Sequence, residues 1–130
     1  MSTQHAQNFP KAIRVVRGDD FTDIIRRGAF AADDVLVVNV RRASDPSGRT
    51  KLGVTIPKKT GNALVRNRWK RWIREAFRTQ KDRFPAGLEL IARPKRDAVG
   101  TFAEIRRSLV STGGRAIAKL PRILPTDPPK

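Results

Sequence analysis

The sequence predicts a single small α+β domain. Three observations carry that expectation. The chain has 130 residues, the size of one domain. Two short runs have strand character: Val35 to Val40 is β-branched and almost continuously apolar, and Leu52, Val54 and Ile56 alternate with Gly53 and Thr55. A third segment, from residue 62 to about 80, repeats its apolar residues at helical spacing. The expected order is α-(β)-β-β-α-β-α around a small mixed sheet.

Each element has a local reason. Met1 to Pro10 is polar and aperiodic and reads as a flexible leader, with the folded domain expected over residues 11–119. Asp19 or Asp20 is expected to cap a short helix, Phe21 to Arg27, with Gly28 at its C′ position. A weak strand is expected near Ala29–Ala32. The two stronger strands flank the turn cluster SDPSG, Ser44 to Gly48, and are expected to pair as an antiparallel hairpin. Gly87 to Ala92 reads as another strand, stopped by Pro94. Thr101, with Glu104 three residues on, has capping-box spacing and opens a helix over Thr101–Val110. Gly113-Gly114 is expected to interrupt it. Residues 120–130 hold four prolines and read as an irregular tail.

Composition narrows the chemistry. Lys+Arg number 28 against Asp+Glu 12, a formal net charge of +16. Such a charge points to a polyanion, nucleic acid first and an anionic membrane surface second. No apolar run approaches the roughly 18–20 residues of a membrane helix, and the first ten residues lack the pattern of a secretory signal. Cysteine is absent and the one histidine is His5, which disfavours thiol catalysis, zinc sites and a serine triad. A two-metal phosphodiesterase site needs converging carboxylates. Asp33 and Asp34 are adjacent, so in extended chain they point to opposite faces. Asp19, Asp20 and Asp23 suit a helix first turn. No catalytic residue and no metal ligand is therefore assigned to the chain itself.

The informative segment runs from Gly53 to Arg78, GVTIPKKTGNALVRNRWKRWIREAFR, with Glu75 its only acid. On a helical wheel Val65, Trp69, Trp72, Ile73 and Ala76 share an arc of about 100°, the width of a core-facing stripe. Asn67, Lys70, Arg71, Arg74 and Arg78 share the opposite arc, and Arg66 and Arg68 flank the stripe. Most charged helical faces are simply solvated. Such faces mix signs and gain from acid–base pairs four residues apart; this one is nearly acid-free and repels itself until a polyanion neutralises it. Lys58 and Lys59, expected at a strand end, and Gly61-Asn62, expected as a tight entry, extend the basic run to a helix N-terminus favourable to phosphate. The tryptophan pair reads as core in preference to base stacking.

PKKTGN followed by ALVRNRWKRWIREAFR resembles the signature of the bacterial ribonuclease P protein subunit. Arg66, Asn67 and Arg68 supply that family's Arg-Asn-Arg tripeptide. Lys70, Arg71 and Arg74 supply the following basic positions, and Lys58, Lys59, Gly61 and Ala63 the approach. The likeness extends more thinly over residues 11–112, through Asp20-Phe21 with Gly28 and through Leu90 to Pro94. Trp69 and Pro57 depart from the usual residues in ways that affect packing or strand-end geometry only. The resemblance implies a two-layer sandwich like the second domain of ribosomal protein S5, with a left-handed βαβ crossover. It implies a subunit of a ribonucleoprotein that removes the 5′ leader of precursor tRNA in the cytoplasm. Its partners would be a catalytic RNA and the precursor tRNA, with no obligate protein partner and no membrane. Catalysis, with its magnesium ions, would reside in the RNA.

Under this reading Lys58, Lys59, Asn62, Arg66, Asn67, Arg68, Lys70, Arg71 and Arg74 contact RNA. Phe21, Ile25 and Val38 form a groove for the single-stranded leader; the resemblance puts Ile25 and Asn39 at positions that can be aromatic in that family. Two alternatives are a ribosomal or other structural RNA-binding protein of similar fold, and a DNA-binding module using residues 62–80. The strands flanking that helix argue against a helix-turn-helix.

Overall fold

A computed structural model describes residues 18–44 and 46–120. The expected leader over 1–10, the start of the expected domain and the proline-rich tail after Leu120 lie outside the described residues. The elements are α1 (Gly18–Arg27), β1 (Ala29–Ala32), β2 (Leu36–Arg42), β3 (Lys51–Val54), α2 (Ala63–Arg78), β4 (Leu88–Pro94) and α3 (Phe102–Ala118). Short 3₁₀ turns, Lys58–Thr60 and Lys81–Arg83, lie before and after α2. No helix among the described residues is long and apolar enough to cross a membrane.

The sheet has four strands in the order β1-β2-β4-β3. The expected hairpin of β2 with β3 does not form. β4 lies between them, antiparallel to β2 and parallel to β3. The reason is the composition of β4. Leu88, Leu90 and Ala92 are buried toward the α2–α3 layer, while Ile91 is buried against α1 on the opposite face. A strand apolar on both faces belongs in the middle of a sheet. The turn cluster therefore arches over the end of β4. Gly87 holds it, accepting from Ala43 N (2.8 Å) and donating to Gly48 O (2.8 Å). Gly87 has φ 79°, and a Cβ there would lie 2.5 Å from the Pro46 carbonyl oxygen, so only glycine fits.

The main core fills the space between one sheet face and the α2–α3 pair. Leu36, Val38, Leu52, Ile73, Phe77, Leu90, Ile105 and Leu109 are fully buried, each contributing about 1.5–3 kcal/mol relative to exposure. α1 crosses the other face, where Phe21 and Ile24 meet Ile91. Its described part runs from Gly18, so Asp19 and Asp20 lie within the helix and not at the N-cap position expected of them. Gly28 ends α1 as expected, its N–H reaching Ile24 O at 2.9 Å. Its role is close approach and not a left-handed turn: a Cβ would lie 2.4 Å from the Val40 carbonyl oxygen.

α3 runs unbroken through Gly113-Gly114. Gly113 is buried against Phe84, whose ring would be 2.9 Å from an added Cβ. Tertiary packing offsets its low helix propensity. The capping box forms, with Glu104 N donating to Thr101 Oγ1 (3.2 Å) and Thr101 N to Glu104 Oε1 (3.0 Å).

Candidate nucleic-acid interface

α2 is set by its cap and its apolar stripe. Asn62 is the N-cap, and its Oδ1 accepts from Val65 N at 3.0 Å. Its oxygen is thus committed to the helix, which leaves the amide N–H₂ for a ligand. Trp69, Ile73 and Ala76 are buried as the wheel predicts, and Val65 and Trp72 pack partly buried against the same core. Phe77, outside the expected stripe, is fully buried; its ring lies 5.4 Å from that of Phe84. The cause is α3, which packs beside α2 and widens the buried arc.

That anchoring turns the basic residues outward. Asn67, Arg68 and Arg71 are exposed, and Arg66, Lys70 and Arg74 are half-buried. The Arg68 guanidinium sits 5.4 Å from the Trp72 ring centroid, a cation–π arrangement that holds the arginine upright. Lys58 and Lys59 are exposed on the 3₁₀ turn that leads into α2, beyond the end of β3 at Val54. Glu75, the one acid, pairs with Arg78, its Oε1 3.1 Å from Arg78 Nε. The hydrogen bond from Arg78 holds the Glu75 carboxyl below its ordinary range. Among the described residues Lys58, Lys59, Arg66, Arg68, Lys70 and Arg71 make no ion pair.

The second expected surface needs correction at Val38. That side chain is fully buried in the α2–α3 core and does not reach the α1 face. Strand alternation decides this: Val37, Asn39 and Arg41 are the β2 residues on the α1 side. Phe21 does lie on that face, over Gly53, where an added Cβ would be 2.6 Å from its ring. Ile25 is exposed on α1. Asn39 Oδ1 accepts from Arg93 Nη1 at 3.4 Å. Arg41 bridges Asp23 of α1 and Glu89 of β4, with Nε–Oε1 2.7 Å to the latter, which fixes α1 on the sheet. Phe30, register partner of Asn39, is 56% exposed. The sequence pattern offers one clue to these residues: once the order β1-β2-β4-β3 is known, period two places them.

The carbonyls on the outer edge of β1 are covered. Arg115 Nη2 donates to Ala32 O (3.1 Å) and Lys119 Nζ to Phe30 O (2.7 Å), so α3 blocks that edge from pairing with another strand. Among the described residues no three His, Asp or Glu side chains gather as a metal site would require.

The fold and this surface define a class: a small α+β domain that has, among the described residues, a four-stranded mixed sheet and three helices, one of them basic and nearly acid-free. The family model for ribonuclease P matches residues 9–116, and the chain belongs to that family. It is 32% identical over 119 residues to the ribonuclease P protein component of Listeria welshimeri, covering 91% of this chain and 95% of that one. It is 42% identical over 103 residues to that of Staphylococcus carnosus, covering 76% and 85%. Among solved structures it resembles the ribonuclease P protein of Staphylococcus aureus, with a TM-score of 0.72 at 32% identity over 84% of this chain and 97% of that one. It also resembles the Thermotoga maritima protein, with a TM-score of 0.68 at 28% identity over 75% and 92%.

Proposed function

We propose that this chain is the protein subunit of a bacterial ribonuclease P holoenzyme, binding a catalytic RNA and the 5′ leader of precursor tRNA in the cytoplasm. The observation that carries the reading is the run of cations from Lys58 to Arg74, turned outward by the burial of Trp69, Ile73, Ala76 and Phe77 beneath them. In this reading Lys58, Lys59, Arg66, Arg68, Lys70, Arg71 and Arg74, with the amides of Asn62 and Asn67, bind phosphates of the catalytic RNA. Their charge reduces repulsion between two polyanions brought together for cleavage.

Single-stranded leader RNA lies across the α1 face of the sheet. Phe21 and Ile25 offer apolar contact, and Asn39 and Arg93 offer polar contacts where Val38 cannot. Recognition there rests on stacking and backbone contact, which tolerates sequence variation. In this reading the magnesium that the hydrolysis needs belongs to the catalytic RNA, and the protein holds and orients the two RNAs.

Reconstitution tests this. Purified protein added to the cognate catalytic RNA and a precursor tRNA at low magnesium should stimulate leader removal strongly. RNA binding without stimulation would favour a structural RNA-binding protein, and cleavage by the protein alone would overturn the reading.

A further inference from the structure

We infer that the chain has a second RNA-backbone site, a cationic groove where the end of α2 meets the outer side of α3. The inference rests on the proposed RNA-binding function and adds to it a surface separate from the exposed face of α2. The groove has a volume of about 450 Å³. Arg83, Arg106 and Arg107 line it, with the small side chains Ala103, Val110 and Ser111. These α3 residues are spaced 103, 106–107 and 110–111, one helical stripe. Arg83 comes from the 3₁₀ turn after α2. All three arginines are exposed, and no guanidinium among them has a partner among the described residues.

Two features distinguish this from a scatter of surface charge. The first is rigidity. Gln80, only 7% exposed, donates from Nε2 to Ala76 O of α2 (3.0 Å) and to Arg106 O of α3 (3.0 Å). The residue that joins the two helices thus fixes the backbone of an arginine lining the groove. Arg83, Arg106 and Arg107 thus project from backbone held at a set spacing, although their side chains stay free to turn toward a ligand.

The second feature is the balance of charge. No acid lines the groove. The neighbouring acids are Asp82, exposed on the 3₁₀ turn, and Glu104, which the capping box at Thr101 engages. The lining has no aromatic or large aliphatic anchor of the kind that centres a protein–protein interface. Arginine forks match phosphate oxygens in pairs. From Ala103 to Ser111 the stripe is about 12 Å long at 1.5 Å per residue, room for more than one phosphate of a strand. These points favour an RNA backbone over an acidic protein segment.

The test uses the full chain and its cognate catalytic RNA. Because cysteine is absent, Ser111→Cys gives a unique thiol for a tethered iron–EDTA cleavage probe, and Asn67→Cys gives the same on α2. The expected result is discrete RNA cleavage from position 111 at nucleotides separate from those cut from position 67. Arg106→Ala with Arg107→Ala should abolish the cuts from position 111, keep those from 67, and reduce the slope of log K against log salt by about 1.4–1.8. The Gln80 bond to the Arg106 carbonyl is retained, so the melting temperature should hold. Cuts from 67 alone would overturn the groove and leave the α2 interface standing. Cuts from neither would remove both readings. If polyglutamate, but not RNA, protects the Ser111→Cys thiol from alkylation, the RNA assignment falls in favour of an acidic partner.

Discussion

The Asp33 carboxylate joins the β1–β2 turn to α3. It accepts from Val35 N (2.8 Å), Leu36 N (2.9 Å) and Ser108 Oγ (2.7 Å). Burial alone would raise its pKa, but the bonds from Leu36, Ser108 and Val35, with the charge of Arg115, together hold it below the ordinary 3.8. A carboxylate with a depressed folded pKa stabilises fully above the unfolded value and loses that contribution as pH falls through the folded one. Asp33→Asn should therefore cost about 2–3 kcal/mol near neutral pH, and the gap from the parent should close as melting is followed into acid below about pH 4. The sequence draws attention to Asp33 only as half of an adjacent acid pair; the fold makes it a structural anchor. Gly28 is a second case. Gly28→Ala would drive a methyl into the Val40 carbonyl, and denaturant unfolding should show a loss of about 3 kcal/mol, at the upper end for overpacking.

Among the elements, α2 is legible from sequence because its stripe and charge lie within one stretch of chain, while the structure adds Asn62 as its N-cap. Asn62→Ala should remove the bond to Val65 N and cost about 1 kcal/mol in stability. Arg66→Ala with Arg68→Ala should weaken binding of the catalytic RNA while the melting temperature falls little, since neither side chain is buried in the core. Concerted melting would make the arginines structural. Phe77 escapes the wheel because its burial depends on Phe84 and α3, which come later in the chain. The continuity of α3 at Gly113-Gly114 is hidden for the same reason: intrinsic propensity predicts a break, and packing against Phe84 overrides it. The face of Val38 is equally hidden, because a run of buried strand residues gives no period from which to choose one.

For the whole molecule, the charge of +16 becomes a directional quantity. If the α2 face engages roughly six to eight phosphates, RNA binding should fall with log salt at a slope of about −4 to −7. A filter-binding titration at several salt concentrations measures it. A slope near −1 would mean that the charge is dispersed and that the helix is a solvated face. Among the described residues α1 packs on one face of the sheet and α2 with α3 on the other. The basic helix and the α1 face thus lie on opposite sides of one sheet, so each can meet a different stretch of RNA.

Local spacing is enough to establish the α+β class, the capping box at Thr101, and the apolar stripe and basic face of α2, because each depends on residues within a few helical or strand turns. The strand order, the face on which Val38 lies, the continuity of α3 and the groove beside Gln80 emerge only in the folded chain. Those depend on contacts between residues far apart in sequence, where burial on two faces at once outweighs local preference.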